Sequence, residues 1–308
     1  MSVSAPVSAP TGPAPVEPRL TRRRAGGGRL RSLGFFGAPG ILWLLALVVV
    51  PYVGVLVFSF WRTDYVELIP AFTFDNLHKA VTDETVREVV LRTLWIAASV
   101  TAVTIVVSLP LAYFAAFYAR RKQLFIFVLV APMFVSYIVR LYSWRLLLGD
   151  NGVVNKVLDS IGLIDQPLSF LLFSPWAVIL TLSYVYLPFM LISLFTVLDG
   201  MDRRVLQAAG DLYASPLRRF VSVTLPQLKP GIAAGVMFVF PLAFGDYIAP
   251  GLVGGTRGQM FANLIQNQFG TTFDYPFGAA LALALLIVVM AVVWGLELWR
   301  GSQEVRAF

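Results

Sequence analysis

Apolar residues gather into six long runs along the chain, at about 37–60, 91–117, 124–147, 175–198, 231–252 and 279–299. An α-helix needs about 20 residues to cross a hydrocarbon core of about 30 Å, so each run predicts a membrane-spanning helix. The first run is too long for the roughly 7–15-residue core of a signal peptide, and no small-residue cleavage site follows it. It reads as a retained anchor, and the same length argues against a twin-arginine signal. The fifth run is the least regular, because Gly245, Asp246 and Pro250 interrupt its second half. Pro51, Pro110, Pro132, Pro188 and Pro241 fall within or at the edges of the runs. Neighbouring helices re-satisfy the carbonyls that proline frees in a membrane helix, so these prolines mark either kinks around a pathway or ordinary packing.

The polar intervals set the orientation. Arg19, Arg22, Arg23, Arg24, Arg29 and Arg31 precede the first run, Arg120, Arg121 and Lys122 follow the second, and Arg203, Arg204, Arg218, Arg219 and Lys229 follow the fourth. With six spans all three groups fall on one side, while the opposite intervals carry only a few cations each. The positive-inside rule then puts both termini in the cytoplasm. The expected organisation is a disordered basic tail over 1–36, a six-helix membrane domain over 37–300 with a cytoplasmic loop at 199–230, and a short tail over 301–308.

Composition narrows the function. Of 308 residues 58% are hydrophobic and 13% charged, about half the charged fraction of an ordinary soluble domain. The fold class is therefore an all-α membrane protein. The absence of cysteine excludes thiolate metal sites and a cysteine nucleophile, and His78 is the single histidine. There is no G-x-x-x-x-G-K-[ST] loop, so no P-loop ATPase lies in this chain. The net charge of +7 is the signature of basic loops beside anionic lipid rather than of nucleic-acid binding.

The interval Asp199–Gly231 is far longer than a simple link between helices requires. Asp202 is placed to cap a short helix through Arg203, Val205, Leu206, Ala208 and Ala209. Ser215 and Pro216 are placed as N-cap and first residue of a second short helix ending at Leu225-Pro226. Two such helices make either a knob that fits a partner's groove or an amphipathic element lying on lipid headgroups.

Here the residues acquire a resemblance. Gln207-Ala208-Ala209, Asp211-Leu212, Ala214-Ser215-Pro216 and Thr224-Leu225-Pro226 resemble the EAA loop of permease subunits of type I ABC importers. Asn151–Asn155, Gly162–Ile164, Val185–Met190 and Phe244–Tyr247 are similar to the spermidine/putrescine branch of that family. The resemblance covers about residues 35–300. Two positions depart from the family pattern: Gln207 replaces its first glutamate, and Tyr213 replaces the glycine of its turn, where positive φ is cheap only for glycine.

The resemblance implies a prokaryotic inner-membrane importer for polyamines, with this non-catalytic chain forming half of the pathway. It implies two copies of an ABC ATPase, a second permease that is a different chain, an extracytoplasmic substrate-binding protein and surrounding membrane lipid. ATP and magnesium belong to the ATPase, and no cofactor is expected here. Gln207, Ala208, Ala209, Gly210, Asp211, Leu212, Tyr213, Ala214, Ser215 and Pro216 would form the ATPase-coupling contact. The alternatives are a related permease for ferric iron, a phosphonate or thiamine, and a self-contained channel or carrier. The last predicts internal repeats and more intramembrane charge, and the sequence shows neither.

Candidate pathway residues are Asp246, Tyr247, Phe244, Tyr184 and Tyr186. Asp246 leads, because a carboxylate in an apolar run usually faces a cavity or a partner. It can instead cap the interrupted end of the fifth helix, or pair with Arg140 or Arg145. Tyr137, Tyr142, Trp144, Tyr184 and Tyr186 can hold ammonium groups over their rings or form an interfacial belt. Gly231–Gly235 presents small residues at helical spacing, a face suited to packing on the other permease.

Overall fold

The computed structural model describes residues 27–64, 67–168, 170–211 and 215–304. The tail before residue 27, the loop residues Leu212, Tyr213 and Ala214, and residues 305–308 lie outside the described residues. The chain divides into two compact units, one up to Pro51 and one from Tyr52 onward. Helix α1 (Gly27–Phe58) carries that boundary, and it begins within the segment expected to be a tail.

Among its described residues the second unit has one short antiparallel hairpin, β1 (Arg62–Asp64) with β2 (Glu67–Ile69), in register Arg62↔Ile69, and its other regular elements are helical. Helices α2 (Asp75–Thr82) and α3 (Glu84–Phe117) follow, then α4 (Lys122–Val130), α5 (Tyr137–Leu148) and α6 (Val153–Ser160). Next come α7 (Pro175–Asp199), α8 (Arg203–Asp211), α9 (Pro216–Arg219) and α10 (Leu225–Phe244), and last α11 (Phe261–Gly270) and α12 (Tyr275–Glu304). Among the described residues four stretches are long and apolar enough to cross a membrane, Glu84–Phe117, Pro175–Asp199, Pro216–Phe244 and Tyr275–Leu298, or five if the bent pair Lys122–Phe134 and Tyr137–Ser160 makes one span.

Helix α7 is the centre of the unit, packed against α3 and α10. Its most apolar window is 61% buried, against 17% for α12, so α7 is the protein-facing span and α12 the peripheral one. Helix α3 turns a stripe of small residues and hydroxyls inward, including Thr93, Ala97, Thr101, Thr104, Ser108 and Ala112. The hydroxyls of Thr93, Thr101 and Thr104 bond carbonyls one turn back at 2.7–2.8 Å, which satisfies them without water.

Glycine sets the closeness of α10 and α7. A Cβ on Gly231 would stand 3.0 Å from Val197 Cγ2 and 3.1 Å from the Ser193 carbonyl. One on Gly235 would overlap Met190 Sδ and stand 2.9 Å from its Cε. The small-residue face expected to meet another permease is thus spent on α7 of the same chain.

Two predicted spans are corrected. The run 124–147 is not one straight helix: Lys122–Phe134 and Tyr137–Ser160 are bent by 89°. Pro132 opens a 3₁₀ turn over Ala131–Phe134, and Val135 and Ser136 are extended, which ends the first segment. The fifth span is displaced toward the N-terminus. It runs unbroken from Pro216 to Phe244 rather than from 231 to 252, and the second loop helix does not end at Leu225-Pro226. A wide turn over Phe220–Thr224, in which the Leu225 amide donates to the Phe220 carbonyl, carries the helix past Pro226, whose nitrogen has no proton to give.

Candidate functional site

The end of α10 places a carboxylate inside the helical core, the only buried one among the described residues. The helix stops at Phe244, Gly245 closes it, and Asp246 starts a new turn that runs on through Pro250–Gly254. Asp246 Oδ1 accepts from the amides of Ile248 (2.9 Å) and Ala249 (3.0 Å), the bonding of a helix N-cap. Oδ2 accepts from the Tyr186 hydroxyl at 2.7 Å and from the Tyr137 hydroxyl. The Tyr186 oxygen also lies 3.3 Å from the Leu242 carbonyl. One carboxylate, 8% exposed, therefore joins α5, α7 and the end of α10. Four donors compensate the burial of its charge.

These residues form one wall of a cavity of about 410 Å³. Met133, Arg140, Phe189 and Tyr247 also line it, at the corner where the bent span turns. The Arg140 guanidinium lies 5.8 Å from the Tyr137 ring centre. Among the described residues Asp246 makes no ion pair, so neither arginine considered as its partner takes that role. Arg145 stands over Phe173 instead, at 5.7 Å. Asn263, at the start of α11, steadies the turn by donating to the Tyr247 carbonyl at 2.6 Å and accepting from the Met260 amide at 3.0 Å.

The structure brings Asp246, Tyr186 and Tyr247 of the expected pathway residues to this cavity and leaves two out. Phe244 is fully buried and stacks on Phe240 at 5.7 Å. Tyr184 is 38% exposed and meets Trp144 edge-on at 5.4 Å, away from the cavity. Residues that sequence reasoning left out of the site are Met133, Arg140 and Phe189, together with Tyr137, which it grouped only with the aromatics. Met133 and Phe189 each directly follow a proline, Pro132 and Pro188, and Arg140 is a charge within an apolar run.

The second candidate surface is the loop between α7 and α10. Asp202 Oδ1 accepts from the Arg204 amide at 2.9 Å and Ser215 Oγ from the Arg218 amide at 3.4 Å, so both expected caps are in place. Gln207, Ala208, Asp211, Ser215 and Pro216 are exposed, while Ala209 and Gly210 are half-buried. Helix α8 packs on α9. A Cβ on Gly210 would lie 3.2 Å from an Arg219 guanidinium nitrogen, so the small residue admits that side chain. Arg203 reaches back to donate to the Ala116 carbonyl at 3.0 Å, tying α8 to the end of α3.

Residues 103–299 match the family described as binding-protein-dependent transport system inner membrane component. The spermidine/putrescine transport system permease protein PotB of Escherichia coli (strain K12) is 34% identical over 263 residues, 85% of this chain and 94% of that protein. The inner membrane ABC transporter permease protein YdcU of the same strain is 32% identical over 279 residues, 83% and 88% of the two chains. A chain of a bacterial ABC transporter involved in import of the acidic polysaccharide alginate aligns with a TM-score of 0.68 at 18% identity. The match covers 88% of this chain and 95% of that one, which establishes a common fold. Over the stretch that holds α7, the α8–α10 loop and the Asp246 turn, this chain belongs to the binding-protein-dependent transport system inner membrane components, and it is a multi-pass permease subunit rather than an enzyme.

Proposed function

We propose that this permease subunit imports a polyamine such as spermidine or putrescine across the inner membrane, with both termini in the cytoplasm. In that reading it forms half of the pathway beside a second permease of different sequence, and receives solute from an extracytoplasmic binding protein. Two ABC ATPase subunits bind ATP and magnesium and grip the exposed edge of α8 and the start of α9. Gln207, Ala208, Ala209, Gly210, Asp211, Leu212, Tyr213, Ala214, Ser215 and Pro216 form the contact. Asp246, Tyr186 and Tyr247 belong to the pathway wall, with Asp246 as its anchor. The observation that carries the reading is the 34% identity to a spermidine/putrescine permease along nearly the whole of both chains.

The uninterrupted helix from Pro216 to Phe244 supports the coupling part, since it joins the loop directly to the cavity. The test is uptake of labelled putrescine and spermidine in cells lacking their own polyamine importers, given this chain with its companion subunits. Saturable uptake that stops when the ATPase is inactivated is the expected result. Uptake of neither polyamine by a complex that assembles and hydrolyses ATP would refute the solute and leave the permease family intact.

A further inference from the structure

Arg120, Arg121 and Lys122 stand together where α3 has ended and α4 begins. Lys122 is paired with Asp199 at the end of α7. Arg120 and Arg121 are exposed, and their side chains make no ion pair or hydrogen bond among the described residues.

Two cavities meet at these arginines. One, of about 420 Å³, runs from them between Phe114 and Tyr118 on one wall and Leu124, Phe125 and Val128 on the other. The other, of about 610 Å³, lies between the three cations, Phe195 and Asp199. The apolar walls are ordered by ring contacts: Phe114 stacks on Tyr118 at 6.2 Å and meets Phe125 at 5.3 Å. Phe114, Tyr118, Leu124 and Val128 are nevertheless exposed. The groove is thus hydrocarbon along its length and doubly cationic at one end, at the boundary of two membrane segments.

An occupant must match both halves. A free anion satisfies the arginines and leaves the walls bare. A zwitterionic lipid satisfies the walls and brings its own cation to two unpaired arginines. A lipid with a net negative head fits both, because phosphate accepts the forked guanidinium donors while its chains cover the rings. We propose that this groove is a binding site for an anionic phospholipid, with the head group between Arg120 and Arg121 and an acyl chain along Phe114, Leu124 and Val128. The site is independent of which solute the transporter carries.

The test uses the purified transporter complex, titrated with dioleoylphosphatidylglycerol or dioleoylphosphatidylcholine and followed by native mass spectrometry and melting temperature. The unmodified complex is expected to retain phosphatidylglycerol through detergent washing, and to be stabilised by it and not by phosphatidylcholine. Arg120→Gln with Arg121→Gln is expected to weaken phosphatidylglycerol binding about 25-fold, taking about fivefold for each cation near a membrane surface. Leu124→Gln with Val128→Gln keeps the charge and is expected to weaken binding as well. Arg204→Gln with Arg218→Gln removes two exposed cations from the α8–α9 loop and is expected to leave binding unchanged. Three results overturn the proposal: arginine variants that bind within about twofold of the parent, loop variants that lose as much as the arginine pair, or a parent complex indifferent to phosphatidylglycerol. Unchanged melting in phosphatidylcholine shows that each variant is folded, so lost binding reads on the site.

Discussion

Replacing Asp246 by asparagine removes a charge and keeps an oxygen where Oδ1 stands. That oxygen holds the amides of Ile248 and Ala249, and asparagine caps a helix about as well as aspartate. The new amide nitrogen faces the Tyr186 and Tyr137 oxygens, which accept as readily as they donate. Tyr186 keeps the Leu242 carbonyl as an acceptor, so only the Tyr137 proton is left over, at about 1–3 kcal/mol if it stays buried. Against this, the buried side chain is no longer an ionised carboxylate, whose desolvation the four donors offset only in part. The two effects nearly cancel. Alanine sheds the same charge and strands the same tyrosine proton, but it also loses the cap, so it ends about 0.5–2 kcal/mol less stable than asparagine. The assay pairs melting of the purified complex with uptake of labelled spermidine in cells. Asp246→Asn should melt close to the parent and keep at least about half of its uptake, whereas Asp246→Ala should melt earlier and lose uptake. An asparagine variant that melts normally and transports nothing would refute this reasoning. The charge would then act on the passing solute, and anchoring the wall would be its lesser role.

Three further outcomes follow from other contacts. Gly235→Val should destabilise the complex by about 1–3 kcal/mol through overlap with Met190, and Met190→Ala should restore part of the loss; additive effects in melting temperature would show that α10 and α7 do not meet there. Ala208→Glu should abolish uptake and ATPase co-purification while leaving the chain inserted, and it is a cleaner change than Ala209→Glu because Ala208 is exposed and Ala209 half-buried; a pull-down with undiminished ATPase would sink the docking role. Arg203→Ala should cost about 1 kcal/mol of stability, because the side chain is exposed, and should lower solute moved per ATP hydrolysed by freeing α8 from the Ala116 carbonyl. An unchanged transport-to-hydrolysis ratio would show that this tie transmits nothing.

Hydrophobic run length located the spans that include α3, α7 and α12, because for those the burial environment is continuous along the helix. It failed where the backbone changes direction without a change in composition. The run 124–147 stays apolar through its 89° bend, and Pro132 looks no different in sequence from Pro110 and Pro188, which sit inside continuous helices. The wide turn over Phe220–Thr224 is equally silent, since no side chain marks a shift from i→i+4 to i→i+5 bonding. The Asp202 and Ser215 caps were legible because capping is local chemistry between residues two or three apart. Asp246 was legible as an oddity and its partners were not. Tyr137 and Tyr186 lie 109 and 60 residues away in sequence, and only the bend and the packing of α7 on α10 bring them to one oxygen. Phe244 and Tyr184 stay out of the cavity through packing that the sequence does not show: Phe244 turns into the core against Phe240, and Tyr184 lies against Trp144.

The Asp246 break and the loop are ends of one mechanical element. From Pro216 to Phe244 the chain is a single helix of 29 residues, about 43 Å at 1.5 Å per residue. Its near end begins beside α8, which Arg203 ties to the last turn of α3. Its far end, Phe244, stops two residues before Asp246, whose carboxylate is bonded to α5 and α7. A continuous helix passes part of a displacement applied at Pro216 on toward its far end, and the wide turn over Phe220–Thr224 takes up the rest. Gly231 and Gly235 seat the helix closely on α7, which favours small sliding or rotation of the pair over separation. The motion then reaches a break in the backbone where four hydrogen bonds add to the packing of Phe244, Ala249 and Val253 in setting the geometry. Hydrogen bonds can be exchanged between discrete partners, and the Tyr186 hydroxyl already has two acceptors within reach, Asp246 and the Leu242 carbonyl. A switch of that hydroxyl from one to the other would release one of the two tyrosines that hold Asp246 without exposing a charge. Tyr186→Phe removes the donor that chooses between these two acceptors and leaves Tyr137 in place. It should therefore preserve assembly and ATP hydrolysis while slowing solute release to the cytoplasm, measured as single-turnover efflux from loaded vesicles. Unaltered efflux would place the moving contact elsewhere along α10.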